Sequence, residues 1–322
     1  MRIMVTGGAG FIGSHFLHNL LDGRYPDLPA TEVVVVDKLT YAGDHRLFTG
    51  RVDPRIRFAE IDICDPSVDE LMKGVDLVVH FAAESHVDRS IVDSAAFVRT
   101  NVLGTQNLLE CSLRNGVGKF VHVSTDEVYG SIAKGSWDEW CPLEPNSPYA
   151  ASKAASDLLV RSYHRTHGLD VSVTRCSNNY GSRQYPEKLI PRFVTNLYQG
   201  RSVPLYGDGS NVREWLHVSD HCWGVALVAK GGRPGEVYNI GGGSELTNRE
   251  LADILVKHTG ADPSLVVRSE DRLGHDLRYS VDYSKMFDEF GYEPRVEISE
   301  GLKSTVEWYR ENQDWWEGFG VR

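Results

Sequence analysis

Cysteine is scarce and scattered in this chain of 322 residues: Cys64, Cys111, Cys141, Cys176 and Cys222 are five in number and never spaced as C-x-x-C. An odd, widely separated set speaks against a disulfide framework or a zinc site and for reduced thiols, so no metal site is expected. Long apolar runs are missing too. Nothing approaches the roughly 20 residues that cross a bilayer, and short segments such as Val33–Val36 and Leu77–Val79 read as buried strands. Basic charge is in the minority, 34 Lys and Arg against 45 Asp and Glu for a formal net charge of -11, which excludes a nucleic-acid backbone or an anionic membrane as the main partner. The opening MRIMVTGGAG has no basic start, long apolar stretch or small-residue cleavage site, and the expectation is a cytoplasmic protein. No fixed-period repeat or low-complexity tract is visible.

What is present is an ordinary globular composition, 41% hydrophobic and 25% charged, long enough for about two domains of roughly 150 residues. Short apolar runs alternate with amphipathic stretches through the first 175 or so residues, the pattern of βαβ units. Arg2–Val5, Val33–Asp37, Leu77–Phe81, Phe120–Ser124 and Val171–Arg175 read as strands, and Phe11–Leu21, Phe97–Asn115 and Tyr149–His167 as helices. Such Val/Ile/Leu-rich strands need both faces covered, so the fold class is α/β: a doubly wound parallel sheet with a second, smaller α/β domain. The boundary is placed at residues 1–177 and 178–322, with some segments of the second part returning to the first. Trp308, Trp315 and Trp316 suggest an amphipathic C-terminal helix packed on the body.

Gly7, Gly10 and Gly13 form G-x-x-G-x-x-G between a strand and a helix. Bare backbone there lets a pyrophosphate approach the free N–H groups and favourable dipole of the helix N-terminus. Asp37 ends the second strand 24 residues beyond Gly13, where a carboxylate accepts hydrogen bonds from an adenosine ribose and repels a 2′-phosphate, favouring NAD over NADP. Lys38 beside it weakens that preference. Asp62-Ile63 and Ala82-Ala83-Glu84-Ser85 lie at further strand ends, the first placed to receive adenine and the second the nicotinamide riboside.

Tyr149 and Lys153 make Y-x-x-x-K on a helix that Ser147-Pro148 opens, and the i,i+4 spacing puts both side chains on one face. A tyrosine titrating near ~10 is a poor base at neutral pH unless an ammonium stabilises its phenolate, and Lys153 stands where it does so. Ser124-Thr125-Asp126-Glu127-Val128-Tyr129-Gly130 follows another strand. Two adjacent carboxyl groups held in different protonation states supply an acid and a base beside a hydride acceptor, more than simple alcohol oxidation needs.

These segments carry a resemblance. G-x-x-G-x-x-G, FAAESHVDRSI at Phe81–Ile91, STDEVYG, SPYAASK at Ser147–Lys153 and SNNYG at Ser177–Gly181 resemble the extended short-chain dehydrogenase/reductase superfamily. Within it the chain is similar to nucleotide-sugar 4,6-dehydratases of the dTDP-glucose type. The likeness continues through PEKLIP at Pro186–Pro191, the Gly207–His217 segment and RLGHDLRY at Arg272–Tyr279, so it spans nearly the whole chain. It departs at Ser182, Glu214, Leu273 and Leu277, where Pro, Asp, Pro and Arg are frequent.

The resemblance implies NAD-dependent conversion of dTDP-glucose to dTDP-4-keto-6-deoxyglucose. Tyr149 with Lys153 and Thr125 serves oxidation at C4, Glu127 takes the C5 proton, and Asp126 protonates the leaving C6 hydroxyl. It adds Phe11, Ile12, Thr40, Thr100 and Asn179 to the cofactor set, and implies sugar-nucleotide contacts from Ser85, Thr125, Asn178, Lys188, Leu189, Pro204, Tyr206, Arg213, Asn248, Arg272 and His275. Arg213 and Arg272 suit a diphosphate through paired, permanently charged donors. A homodimer is implied through the helices at Thr100–Asn115 and Tyr149–His167. Other readings remain: a dehydratase of another nucleotide hexose such as UDP-glucose, a UDP-hexose 4-epimerase, which has no need of the carboxyl pair, and a catalytically idle NAD-binding sensor or scaffold.

Overall fold

The run Glu-Val-Val-Val-Val-Asp forms a strand, Glu32–Asp37, whose four valines have no exposed surface; burying each contributes about 1.5–3 kcal/mol. Valines that alternate faces can all be buried only where the sheet is covered on both sides. In the computed structural model, which describes residues 1–49, 53–271 and 275–319, the strands in chain order are β1 (Arg2–Thr6), β2 (Glu32–Asp37), β3 (Ile56–Glu60), β4 (Leu77–His80), β5 (Lys119–Thr125), β6 (Val171–Cys176), β7 (Asn178–Tyr180), β8 (Val203–Tyr206), β9 (Val212–His217), β10 (Val237–Ile240), β11 (Ser244–Thr247) and β12 (Val266–Ser269). Seven of them make a parallel sheet in the order β10-β6-β5-β4-β1-β2-β3. The order reverses between β1 and β4, and the crevice beyond their C-terminal ends is where an open α/β sheet binds ligands.

Each face of this sheet has its own apolar layer. Val33 and Val35 join Val5, Val79 and Val121 under Phe16 of the helix Phe11–Leu21 and Val225 of the helix Val218–Gly231. Val34 and Val36 turn the other way, with Met4, Val78 and Phe120, onto Leu108 of the helix Thr105–Asn115 and Val160 of the helix Pro148–His167.

A separate cluster holds the smaller region: Phe193, Val194, Leu251, Leu255, Leu302 and Val306, from the helices Leu189–Tyr198, Asn248–Thr259 and Ile298–Glu311. These pack with a three-stranded sheet, β11-β9-β7, and a parallel pair, β12-β8. The chain then crosses back, since β10 extends the large sheet by pairing with β6 and Val218–Gly231 packs on β5 and β6.

The expected strands and helices form with two differences. The segment Phe97–Asn115 is not one regular helix: Val98–Gly104 is a π-helical stretch before Thr105–Asn115. Gly104 there lies against Ile63, where a Cβ would come within 2.5 Å of that side chain. β3 is the strand expected before Asp62-Ile63; it lies at the sheet edge, with two of its five residues exposed and three half-buried. At the C-terminus two helices form, Ile298–Glu311 and Gln313–Glu317, and Trp315 Nε1 donates to Asp44 Oδ2 at 2.7 Å, tying the end of the chain to the loop after β2. No helix among the described residues is long and apolar enough to cross a membrane.

Candidate active site

One cavity of about 300 Å³ opens at the β1/β4 crevice. Its floor is backbone. Gly7, at φ +70°, lies so close to the turn after β4 that a Cβ would meet Ala82 N at 2.6 Å, and a Cβ on Gly13 would meet Gly7 O at 2.2 Å. Gly10 caps the helix Phe11–Leu21 without any side-chain acceptor. The first-turn residues Phe11, Ile12 and Gly13 therefore present the cavity with a helix N-terminus suited to an anion.

Asp37 stands at the cavity edge, its Oδ2 accepting Ala9 N–H at 3.0 Å and its Oδ1 Leu39 N–H at 2.9 Å. Burial pushes this carboxyl up, against the pull of those two N–H groups. Lys38 and Thr40 follow it along the wall, and Lys38 Nζ reaches Thr100 Oγ1 at 3.3 Å. Ile63, Ala82, Ala83 and Ser85 complete this end. Asp62 does not join them: its carboxylate accepts Cys64 N–H at 2.9 Å and faces Lys38 Nζ at 3.7 Å. Ile63 alone of that pair lines the expected adenine end. A glycine cradle, an open helix N-terminus and a carboxylate beyond them fit a dinucleotide.

Across the same cavity, β5 delivers Thr125, Asp126 and Glu127. Thr125 Oγ1 receives the Glu127 N–H and donates to Asp126 Oδ1, both at 3.3 Å, so one hydroxyl fixes the turn carrying both carboxyl groups. Asp126 is 1% exposed. Burial first, then the charges of Glu127 and Glu214, hold its carboxyl well above the usual carboxylate range despite Arg213 nearby. That favours the protonated form, the one a proton donor needs.

Ser147 caps the helix Pro148–His167 by accepting Ala150 N–H at 3.1 Å, and Pro148 needs no donor in the first turn, which sets Tyr149 at the cavity. Tyr149 and Lys153 both line it. The phenol departs from the sequence expectation: burial and the Glu127 charge push it well above 10, with the nearby Thr125 hydroxyl pulling the other way. Lys153 is wholly buried, its Nζ donating to Val123 O at 2.8 Å, and burial brings it down to about 8.

The far wall comes from the smaller region. Asn178 and Asn179 line it from β7, and Lys188 Nζ crosses to Ser85 O at 2.5 Å. Gln184, Tyr185 and Glu187 stand there as well, none of them expected; the PEKLIP likeness around Glu187 was the available signal. Tyr41 closes over this side, its hydroxyl donating to Glu187 Oε1 at 3.1 Å under the Arg89 guanidinium, 3.6 Å from the ring centroid.

Other expected sugar-nucleotide residues lie outside the cavity wall. Arg213 on β9 is buried over the Tyr279 ring and spends donors on Val212 O at 2.7 Å and Asp276 O at 2.9 Å. Asn248 begins the helix after β11 with its buried Oδ1 lacking a hydrogen-bond partner among the described residues, as does Asn178 Oδ1. Leu189 begins the helix Leu189–Tyr198, Pro204 and Tyr206 sit on β8, and the Tyr206 ring meets that of His275 edge-on. Arg272 lies outside the described residues.

Known proteins share this arrangement. A family profile described as GDP-mannose 4,6 dehydratase matches residues 4–305. A dTDP-glucose 4,6-dehydratase of Streptomyces antibioticus is 61% identical over 98% of this chain and 95% of its own length. The solved structure of DesIV, a dTDP-glucose 4,6-dehydratase of Streptomyces venezuelae with NAD and dTDP bound, superposes with TM-score 0.98 at 63% identity, covering 99% of this chain and all (100%) of that one. A UDP-glucose 4-epimerase of Thermus thermophilus solved with NAD reaches TM-score 0.88 at 33% identity, covering 97% of this chain and 100% of its own. The fold is thus shared across two activities, while sequence identity separates them. By the extent of these matches the chain belongs to the GDP-mannose 4,6 dehydratase family of the extended short-chain dehydrogenase/reductases and, within it, groups with the dTDP-glucose 4,6-dehydratases.

Proposed function

We propose that the chain is a hydro-lyase that converts dTDP-glucose to dTDP-4-keto-6-deoxyglucose and water, with NAD as a resident cofactor. The observation that carries this is the pair Asp126 and Glu127 in the same cavity as the glycine cradle and Tyr149, with Asp126 held as the acid. The high identity to dTDP-glucose 4,6-dehydratases supports the substrate. NAD⁺, when bound, supplies a hydride acceptor for C4 that becomes the donor to C6, and one positive charge beside the phenol.

Tyr149 removes the 4-hydroxyl proton as the C4 hydrogen leaves with its electron pair, and Thr125 holds that oxygen. Because burial raises the phenol, both the Lys153 ammonium and the cofactor's charge are needed to favour the phenolate. The 4-ketone acidifies C5–H. Glu127 takes that proton while Asp126 gives its own to the departing C6 hydroxyl, so water leaves and the C5–C6 double bond forms. Hydride return to C6 and protonation at C5 complete the change without net oxidation. The glycine floor, Asp37, Lys38, Thr40 and Thr100 hold the cofactor; Ser85, Asn178, Lys188, Arg213, Asn248 and His275 serve the sugar nucleotide, with Arg272 beyond the described residues.

The division of labour follows residues 1–177 for NAD and 178–322 for the sugar nucleotide, the strand β10 returning to the first. Exposed leucines on the two helices expected to pair, Leu103 at 56% and Leu158 at 57%, support a homodimer through that face. The cytoplasm is the proposed location. Incubation with dTDP-glucose is expected to form a 4-keto sugar with an ultraviolet chromophore in alkali. Turnover of UDP-glucose in its place, or a galacto epimer as product, would reject the reading.

A further inference from the structure

Tyr149, Lys153 and Asp157 occupy i, i+4 and i+8 of the helix Pro148–His167, so they stack on the face packed against β5 and β6. The first two line the cavity; Asp157 lies behind them with no exposed surface. We propose that Asp157, clamped by Arg175, is a positioning residue that supplies the buried counter-charge anchoring the Lys153 ammonium one turn beyond Tyr149. It rests on the dehydratase reading above.

The clamp is built from three elements. Arg175 on β6, 1% exposed, donates from Nε to Asp157 Oδ2 at 2.9 Å and from Nη1 to the Tyr129 hydroxyl at 2.8 Å, which in turn donates to Asn239 Oδ1 at 2.8 Å. His122 on β5 faces the other carboxylate oxygen at 3.4 Å and meets Ser156 Oγ at 3.1 Å. Ser156 Oγ donates to the Lys153 carbonyl at 2.8 Å, so the network also grips the turn that carries the lysine.

A buried ammonium has three donors to place and no solvent to stabilise its charge. Lys153 places one on Val123 O. Burial lowers it to about 8, and of the two groups pulling it back, Asp157 comes before Cys176. Apart from Tyr149, which bears a charge only as the working phenolate, the other groups facing this lysine add no negative charge. His80 on β4 and His122 on β5 are kept neutral by burial, the Cys176 thiol on β6 is pushed up and stays protonated, and burial favours the protonated form of Asp126 after β5. Asp157 itself stays ionised: burial pushes it up, but the Arg175 guanidinium, with His122 and Ser124 beside the carboxylate, outweighs that and brings it to about 2.

The sign of the effect follows. The ammonium is the working form, so activity falls as pH rises through the lysine's pKa. Losing the carboxylate moves that fall to lower pH. Asp157→Asn alone strands a buried guanidinium and threatens folding, so the decisive variant is the double D157N/R175Q, which removes both charges together. Its kcat for dTDP-glucose dehydration is measured against pH, with its melting temperature and NAD content. The expected result is a folded, NAD-loaded protein whose alkaline limb lies about one pH unit lower, with kcat about tenfold down on that limb. A folded double variant with the parent's pH profile would overturn the proposal, because Asp157 would then serve Arg175 alone. Arg175→Lys, which keeps the carboxylate, must leave the limb at the parent's pH; a displaced limb there also overturns it. Failure of the dehydratase reading shows separately, as absence of turnover by the parent protein.

Discussion

At its cofactor end the cavity is lined by backbone from two strand-to-helix turns, Gly7–Gly13 and Phe81–Ser85, whereas its opposite end is closed by side chains drawn from β7 and residues 184–188. The first end is contiguous and works by leaving Cβ atoms out. The second is assembled from pieces that only tertiary packing brings together, with Lys188 reaching across to Ser85 O. A cofactor that stays through the reaction suits the rigid, backbone-built end, and a substrate that must enter and leave suits the end made of side chains. The carboxyl pair stands between them, at the end of β5.

If the ends are separable in function, variants at each will report on different ligands. Glu127→Gln should lower dehydration by about 10²–10⁴-fold while the protein keeps its NAD and still oxidises C4, seen as reduced cofactor accumulating on the enzyme. An unaltered dehydration rate would remove Glu127 from the base role, and loss of NAD would show the ends to be coupled. Gly13→Ala places a Cβ 2.2 Å from Gly7 O. An overpacking cost of about 1–3 kcal/mol corresponds to roughly ten- to a hundredfold weaker NAD binding, with dTDP affinity unchanged when each is titrated calorimetrically. Asn248→Ala should raise the KM for dTDP-glucose by only about two- to tenfold, the worth of one hydrogen bond, and leave NAD content alone. A fall in NAD content there would contradict the division.

The same contrast explains what was legible in the sequence. The glycine cradle, Asp37, the Thr125-Asp126-Glu127 turn and the Tyr149/Lys153 pair each sit within a few residues at a strand end or helix start, where local spacing dictates geometry. Gln184, Tyr185 and Glu187 carry no such spacing, and Tyr41 meets Glu187 across 146 positions of sequence. Asp157 and Arg175 are 18 residues apart on a helix and a strand, and only the packing of one on the other reveals them as a pair. Arg213 shows what packing adds to residue chemistry: its guanidinium lies buried over the Tyr279 ring with two of its donors on the Val212 and Asp276 carbonyls, a placement that no local spacing gives. The phenol of Tyr149 is another case, since one neighbouring lysine was expected to govern it and burial is the larger influence. In the fold, the π-helical stretch Val98–Gly104 escaped for a related reason, its form depending on neighbours rather than on apolar periodicity.

The central claim is that oxidation, elimination and reduction occur in one cavity on one bound cofactor. Supplying dTDP-glucose deuterated at C4 to the protein as purified tests it most directly, with the product read by NMR. The account predicts deuterium at C6 of a 4-keto-6-deoxy product, with the C5 hydrogen drawn from solvent. Deuterium found in released cofactor, or returned to C4 of an epimerised hexose, would contradict it.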